Sequence, residues 1–302
     1  MTPRFYKQNR LRQLQAFCFA ARTGSISAAA AQMLLSQPAA TLLVQGLEKE
    51  LGKHLFERRG PRIRLTKAGK ILLDLALPLL EGFDSLAATF NERCNNRLTG
   101  NLVVAAGESA TLYLLPETVK QFTEKYPPVQ LQLINVPDKQ ALELLRTGAA
   151  DIAIGPITEI PEDIYYLPIT SYEPVLITPA GHPLSLLEHI SLEDICFYPL
   201  ILPPSTMSFR QHIDRVFQEK NLRFRLLMEA GSWEVIKKYV ETGLGISIIA
   251  SICLTGKENF TTTPLKAHFT RDAFGILLRD GKYLSPAARC FIELIDSNAS
   301  VK

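Results

Sequence analysis

Residues 28–43, AAAAQMLLSQPAATLL, are almost wholly apolar helix formers, yet Ser36-Gln37-Pro38 cuts the run. A proline inside a helix removes a backbone hydrogen bond and crowds the preceding turn, whereas in the first turn it sacrifices neither. The run therefore reads as two helices, the second capped by Ser36 with Gln37 and Pro38 in its opening turn. Upstream, Leu11, Leu14, Phe17, Cys18 and Ala21 recur at three- and four-residue spacing, which predicts an amphipathic helix that ends at Gly24, with Ser25 capping the next. Beyond Pro38, Ala40, Val44, Leu47 and Leu51 form an inward face and leave Gln37, Thr41, Gln45 and Glu48 pointing outward. Two helices joined by a tight turn, the second with a polar start, is the helix-turn-helix arrangement that sets a recognition helix into the major groove.

After this unit, Arg58-Arg59-Gly60-Pro61-Arg62 makes a basic turn between short alternating stretches. It predicts a β-hairpin wing that carries Arg58, Arg59, Arg62 and Arg64 toward phosphates or the minor groove. The charge distribution agrees. Residues 1–70 hold 13 basic and 3 acidic side chains, while the remainder holds 20 basic against 27 acidic. A basic head on an acidic body is the electrostatic footprint of a nucleic-acid-binding domain attached to a trunk with a different partner.

The stretch GSISAAAAQMLLSQPAATLLVQGLEKELGKHLFERRGPRIRLTKAG resembles the N-terminal winged helix-turn-helix of LysR-type transcriptional regulators. The paired alanines, Ser36-Gln37-Pro38, Leu47-Glu48, Leu51-Gly52, Leu55-Phe56, Arg58, Leu65-Thr66 and Gly69 carry the likeness over about fifty residues. Family members often place Arg, Lys or Gln on the outer face of the recognition helix, where this chain has Leu42, Leu43, Gln45 and Gly46. Base readout is accordingly expected from Gln37 and Thr41, supported by Ser36, Pro38 and Gln45, with the wing arginines supplying affinity largely without sequence information.

Thr66 is a candidate cap for a long helix through KAGKILLDLALPLLEGFDSLAATFNERC. Within it Leu72, Leu75, Leu79, Phe83, Leu86 and Phe90 are spaced as a coiled-coil-like seam that needs a helical partner. The resemblance implies the same, since LysR-type regulators dimerise through this helix; a homodimer or homotetramer is expected. Pro78 predicts a kink rather than a break.

From residue 97 short apolar runs (NLVVAA, VQLQLINV, ADIAIG, PVLITP, GISIIA) alternate with helical periodicity, so the trunk is α/β. By resemblance it is the family's effector-binding part, two Rossmann-like lobes of periplasmic-binding-protein type joined by crossovers near Ser171 and Phe269. The expected division is 1–66 for the winged helix-turn-helix head, 67–94 for the linker helix and 95–302 for the effector domain. Lobe I is expected at about 97–170 plus 270–296, and lobe II at about 171–269. Ligands of open α/β sheets bind beyond the carboxyl ends of the strands. This singles out Gly107 and Ser109 after the first strand, Gly155, Pro156 and Thr158 after another, and Thr206, Ser208 and Arg210 at a helix start across the cleft. Ser109 and Ser208 are expected as N-caps, and hydroxyls, amides and a guanidinium converging there suit a small anion. The trunk is most similar to the sulfur-assimilation regulators related to the cysteine-regulon activator, through EVIKKYVETGLGISIIAS and YLLP. Where those carry site threonines and a glutamine, this chain has Gly107, Ser109, Ala110, Pro156 and Ser208. A pathway of carboxylate or aromatic metabolism remains an alternative.

Other classes find little support. Gly107-Glu108-Ser109 begins like a nucleophile elbow, but Thr111 stands where its second glycine belongs, and no nucleotide loop or zinc-protease motif appears. The five cysteines are odd in number and widely spread, so no disulfide framework, metal site, cofactor or catalytic residue is expected. No run is long and apolar enough for a membrane span, and MTPRFYKQNR is not a signal sequence, which predicts a soluble cytoplasmic protein and disfavours an exported solute-binding protein built from the same lobes.

Overall fold

A computed structural model describes residues 10–59, 62–95, 98–157 and 159–296. Three helices come first, α1 (Arg10–Thr23), α2 (Ile26–Gln32) and α3 (Gln37–Leu51). Ser25 and Ser36 cap the second and third, their hydroxyls accepting from the amides of Ala28 and Ala39. Gly52, left-handed at φ 62°, ends α3. The wing follows as β1 (Phe56–Arg59) paired antiparallel with β2 (Arg62–Leu65). Phe17, Val44, Leu47, Leu55 and Leu77 close the head's core.

Two details correct the expected faces. Leu11 and Leu51 are more than one-third exposed, so the inward face of α3 is Ala40, Val44 and Leu47. Glu48 points inward, where its carboxylate accepts from the amides of Leu55 (2.7 Å) and Phe56 (3.4 Å) and so fixes the chain's entry into the wing.

Helix α4 (Lys67–Asp84) is capped by Thr66 and runs through Pro78 without a break; the interruption falls at Ser85, before α5 (Leu86–Asn95). Its inward stripe is Leu73, Ala76, Leu77 and Leu80. Leu72 is half-buried on the head's core, whereas Leu75, Leu79, Phe83, Leu86 and Phe90 are all exposed in the single chain.

The trunk repeats one sheet topology twice. The first sheet contains β3 (Gly100–Ala106), β4 (Val129–Asn135), β5 (Ile152–Pro156), β6 (Ile164–Tyr172) and β12 (Asp272–Arg279), in the order β4-β3-β5-β12-β6. The second has β7 (Pro174–Pro179), β8 (Pro199–Leu202), β9 (Arg225–Glu229), β10 (Ser247–Ala250) and β11 (Phe260–Pro264). Its two parts, β8-β9 and β10-β7-β11, meet through a parallel bridge between Leu200 and Ile246. In each sheet three parallel strands are followed in space by one antiparallel strand (β12, β7) and then by an outer strand antiparallel to that one (β6, β11), and the chain crosses between sheets at Glu173 and again across residues 265–271. Arg271 pairs with Glu173 at 2.6 Å, tying the two crossings together. The helices are α6 (Pro116–Lys125), α7 (Asp138–Arg146), α8 (Leu192–Cys196), α9 (Ser208–Glu219), α10 (Trp233–Glu241) and α11 (Pro286–Ile295). Among the described residues no helix is long and apolar enough to cross a membrane, and no cluster of His, Cys, Asp or Glu could hold a metal ion. All five cysteines are free, with Cys18 and Cys253 buried.

Candidate DNA-reading head and interlobe cleft

On the head, Ser36, Gln37, Pro38, Leu42 and Gln45 are exposed, and Gln37, Thr41 and Gln45 fall on one face at four-residue intervals. The Thr41 hydroxyl donates to the carbonyl of Gln37 at 2.9 Å, which leaves its methyl as the free group. Gly46 is not on this face. A Cβ there would lie 2.8 Å from Nε2 of Gln13, so the glycine lets α1 cross close to α3. Arg64 is exposed on β2; the side chains of Arg58, Arg59 and Arg62, and the whole of Thr158, lie outside the described residues.

The head also touches its own trunk, a contact that nothing in the sequence announced. Arg22 of α1 donates from Nε to the carbonyl of Thr147 at 2.6 Å, just beyond α7. Glu81 of α4 accepts from Arg279 (2.9 Å) and Lys282 (3.1 Å), and Lys282 also reaches Asp151 at 3.2 Å. The side chains of Glu81, Arg279 and Lys282 are 12%, 4% and 2% exposed, so these charges can be accommodated only as a set.

Between the lobes the strand ends converge as expected, but several residues there act differently. Ser109 is not a cap: its backbone is already helical, it makes no capping bond, and its hydroxyl faces the Cys253 sulfur at 3.9 Å. Burial pushes that thiol up to about 12, too high to ionise near neutrality. Ser208 is the first helical residue of α9 rather than its cap, which is Met207, and its hydroxyl donates to Asp138 Oδ2 at 2.9 Å. Gly155 and Pro156 are the last residues of β5, not the loop beyond it. Thr206 lies exposed in the turn before α9. Arg210 points away from the cleft. It is buried and holds Asp214 (2.9 Å), Glu229 (3.1 Å) and the carbonyl of Pro203 (3.0 Å), so the expected guanidinium is already used.

The cleft opens into a cavity of about 440 Å³ lined by the start of α7, the end of β5 and one face of α9. Pro156 and Ser208 line it, together with Asp138, Lys139, Gln211, His212 and Arg215, which the sequence reading passed over. A signal for three of these was present: Gln211, His212 and Arg215 recur with Ser208 at the spacing of one helical face. Burial raises the Asp138 carboxyl above its ordinary range, and the Ser208 hydroxyl opposes this only in part.

Other bonds span the cleft. Glu108 accepts from the Ser232 hydroxyl at 2.7 Å and from the Trp233 amide at 3.3 Å, and Tyr113 donates to Glu234. Burial and that bond to Glu234 raise the Tyr113 hydroxyl, which stays protonated. Lys237, a buried residue of α10, pairs with Glu234 (2.7 Å) and Glu258 (3.2 Å). Burial would raise Glu258, but the amides it accepts from at Thr255 and its own position, the Thr255 hydroxyl and Lys237 outweigh it and hold the carboxyl at about 2.

Residues 11–70 match the family model described as "Bacterial regulatory helix-turn-helix protein, lysR family", and residues 95–300 match "LysR substrate binding domain". The "Probable RuBisCO transcriptional regulator" of Nostoc sp. (strain PCC 7120 / SAG 25.82 / UTEX 2576) is 31% identical over 294 residues, covering 94% of this chain and 87% of that one. The "HTH-type transcriptional regulator CysB" of Burkholderia cenocepacia is 30% identical over 284 residues, covering 92% and 90%. Among solved structures, the cofactor-binding domain of the Cbl transcriptional regulator superposes with a TM-score of 0.63 at 29% identity, over 67% of this chain and 90% of that one.

Proposed function

The chain belongs to the LysR family of bacterial transcriptional regulators, and on that premise we propose a role for each of its parts. Residues 1–66 read promoter DNA, with Ser36, Gln37, Pro38, Thr41 and Gln45 at the base edges and Arg58, Arg59, Arg62 and Arg64 on the backbone or minor groove. Residues 67–94 pair with a second chain through Leu75, Leu79, Phe83, Leu86 and Phe90, giving a dimer that can assemble further. Residues 95–302 hold a small molecule with an acidic group between lobe I and lobe II and act by binding rather than catalysis. The observation that carries this reading is the row of exposed Gln37 and Gln45 with half-buried Thr41 between them, on a capped helix beside a basic wing.

The relatives support two pathways. CysB and the structural likeness to Cbl favour sulfur metabolism, and the RuBisCO regulators favour carbon assimilation. The test is selection of genomic fragments by the full-length chain, followed by footprinting with and without sulfate, thiosulfate and a panel of carboxylates. A footprint over promoters of sulfur genes that shifts with a sulfur oxyanion supports the first pathway, and one over carbon-assimilation promoters the second. Undiminished, sequence-selective binding by Gln37→Ala/Gln45→Ala would overturn the proposed base readout, since each good base pairing carries about 1–3 kcal/mol of discrimination.

A further inference from the structure

Asp138 carries a half-buried carboxylate inside the cleft whose one hydrogen-bond partner among the described residues is the Ser208 hydroxyl of the opposite lobe. No cation pairs with it among the described residues, although a carboxylate can accept about four hydrogen bonds. The surrounding backbone leaves room for it: a Cβ on Gly155 or Gly107 would come within 3.3 and 3.4 Å of Oδ1. In the same cavity Lys139, next to Asp138 at the start of α7, and Arg215 are exposed and make no ion pair among the described residues. Arg215 follows Ser208 by seven residues on one face of α9, about 10 Å along the axis. The cleft therefore holds a carboxylate beside Ser208 and a guanidinium two turns farther along α9. A bare oxyanion can pair with the guanidinium but meets like charge at Asp138, where a like-charge contact discriminates against it.

We propose that the cleft takes a small amphoteric ligand, with an ammonium or other N–H donor on Asp138 and an acid group on Arg215, and that Asp138 sets this preference. The inference rests on the reading that the cleft is the effector site. It narrows that reading from an acid to a molecule carrying both an acid and a cationic or donor head.

The test is calorimetric titration of the full-length chain with L-serine and 5-aminopentanoate, which hold their charges at a short and a long separation. Each is compared with the acid lacking its ammonium (3-hydroxypropanoate, pentanoate) and the amine lacking its carboxylate (ethanolamine, butylamine). At least one amino acid should bind about ten-fold or more tightly than either of its halves, the size of one charge-assisted contact. Asp138→Asn should erase the margin over the acid, and Arg215→Ala the margin over the amine. An unchanged apo Tm confirms that each variant folds. Acids that bind as tightly as the amino acids, or a margin that survives Asp138→Asn, would overturn the proposal while leaving an acid-binding cleft in place. Silence from all six probes would overturn it and leave the DNA-binding reading untouched.

Discussion

Two polar junctions hold this chain together, and they are built in opposite ways. Where the head and its linker helix meet lobe I, Glu81, Arg279 and Lys282 are almost fully buried and share one network, with Asp151 at its edge. Where the two lobes meet, Asp138 holds a single hydroxyl beside an open cavity, and Glu108 holds a hydroxyl and an amide. Removing one member of a dry ion network strands the others, whereas a bond at a wet cavity can be replaced by water or ligand. The first junction fixes geometry and the second is free to change partners.

The largest effect should come from Glu81→Ala, which leaves Arg279 and Lys282 buried without their shared carboxylate. A loss of about 3–5 kcal/mol in denaturant unfolding is expected. A loss below about 1 kcal/mol would show that the seam is hydrated and the contrast false. Next comes Gly148→Ala. Gly148 is left-handed at φ +69°, and a Cβ there would lie 2.6 Å from Nη2 of Arg22 and 3.2 Å from both Glu81 and Leu77. Backbone strain and the pushed guanidinium together should cost about 2 kcal/mol. Arg22→Ala should relieve part of that cost in the double mutant, which a thermodynamic cycle would measure.

Acid titration sharpens the contrast further. Glu258 sits well below its ordinary 4.5, so its contribution is complete above that value and is lost as pH falls toward about 2. Asp138 is raised above 3.8, so the folded state keeps its proton longer and stability declines as pH rises through that interval. Replacing Glu258 with Gln should therefore flatten acid destabilisation by a few degrees of Tm, about 1 kcal/mol for a chain this size. Asp138→Asn should remove a slope of the opposite sign. The smallest effect is expected for Asp138→Asn at neutral pH, within about 1 kcal/mol of wild type, because an amide can still accept from Ser208 and sheds the desolvated charge. A large destabilisation there would make the cleft bond structural rather than exchangeable.

The head was legible because its rules are local. A proline two residues after a serine and the cap spacings each dictate conformation within a few residues, and Ser25, Ser36 and Thr66 cap where the pattern put them. The cleft was less legible because its geometry is set across the chain. Strand ends pointed to Pro156 and Ser208 correctly as lining residues. Arg210, one residue after Phe209 and two before His212, looked the same in sequence whether it faced the cleft or the Glu229 strand, and only packing decides that. Ser109 misled for a related reason: a serine after a strand suggests a cap, but the helix begins before it and passes through a π-helical turn at Ala110–Leu114. The head-to-trunk seam joins residues about 200 positions apart, beyond the reach of any periodicity.

Helix α7 connects these two junctions. Asp138 at its first residue grips lobe II, and the Thr147 carbonyl just past its last residue receives Arg22 from the DNA-reading head. Nine residues of α-helix span only about 13 Å, and so short a helix bends very little along its length. The two ends are therefore one mechanical object: whatever draws Asp138 toward or away from α9 also displaces the platform on which the head rests.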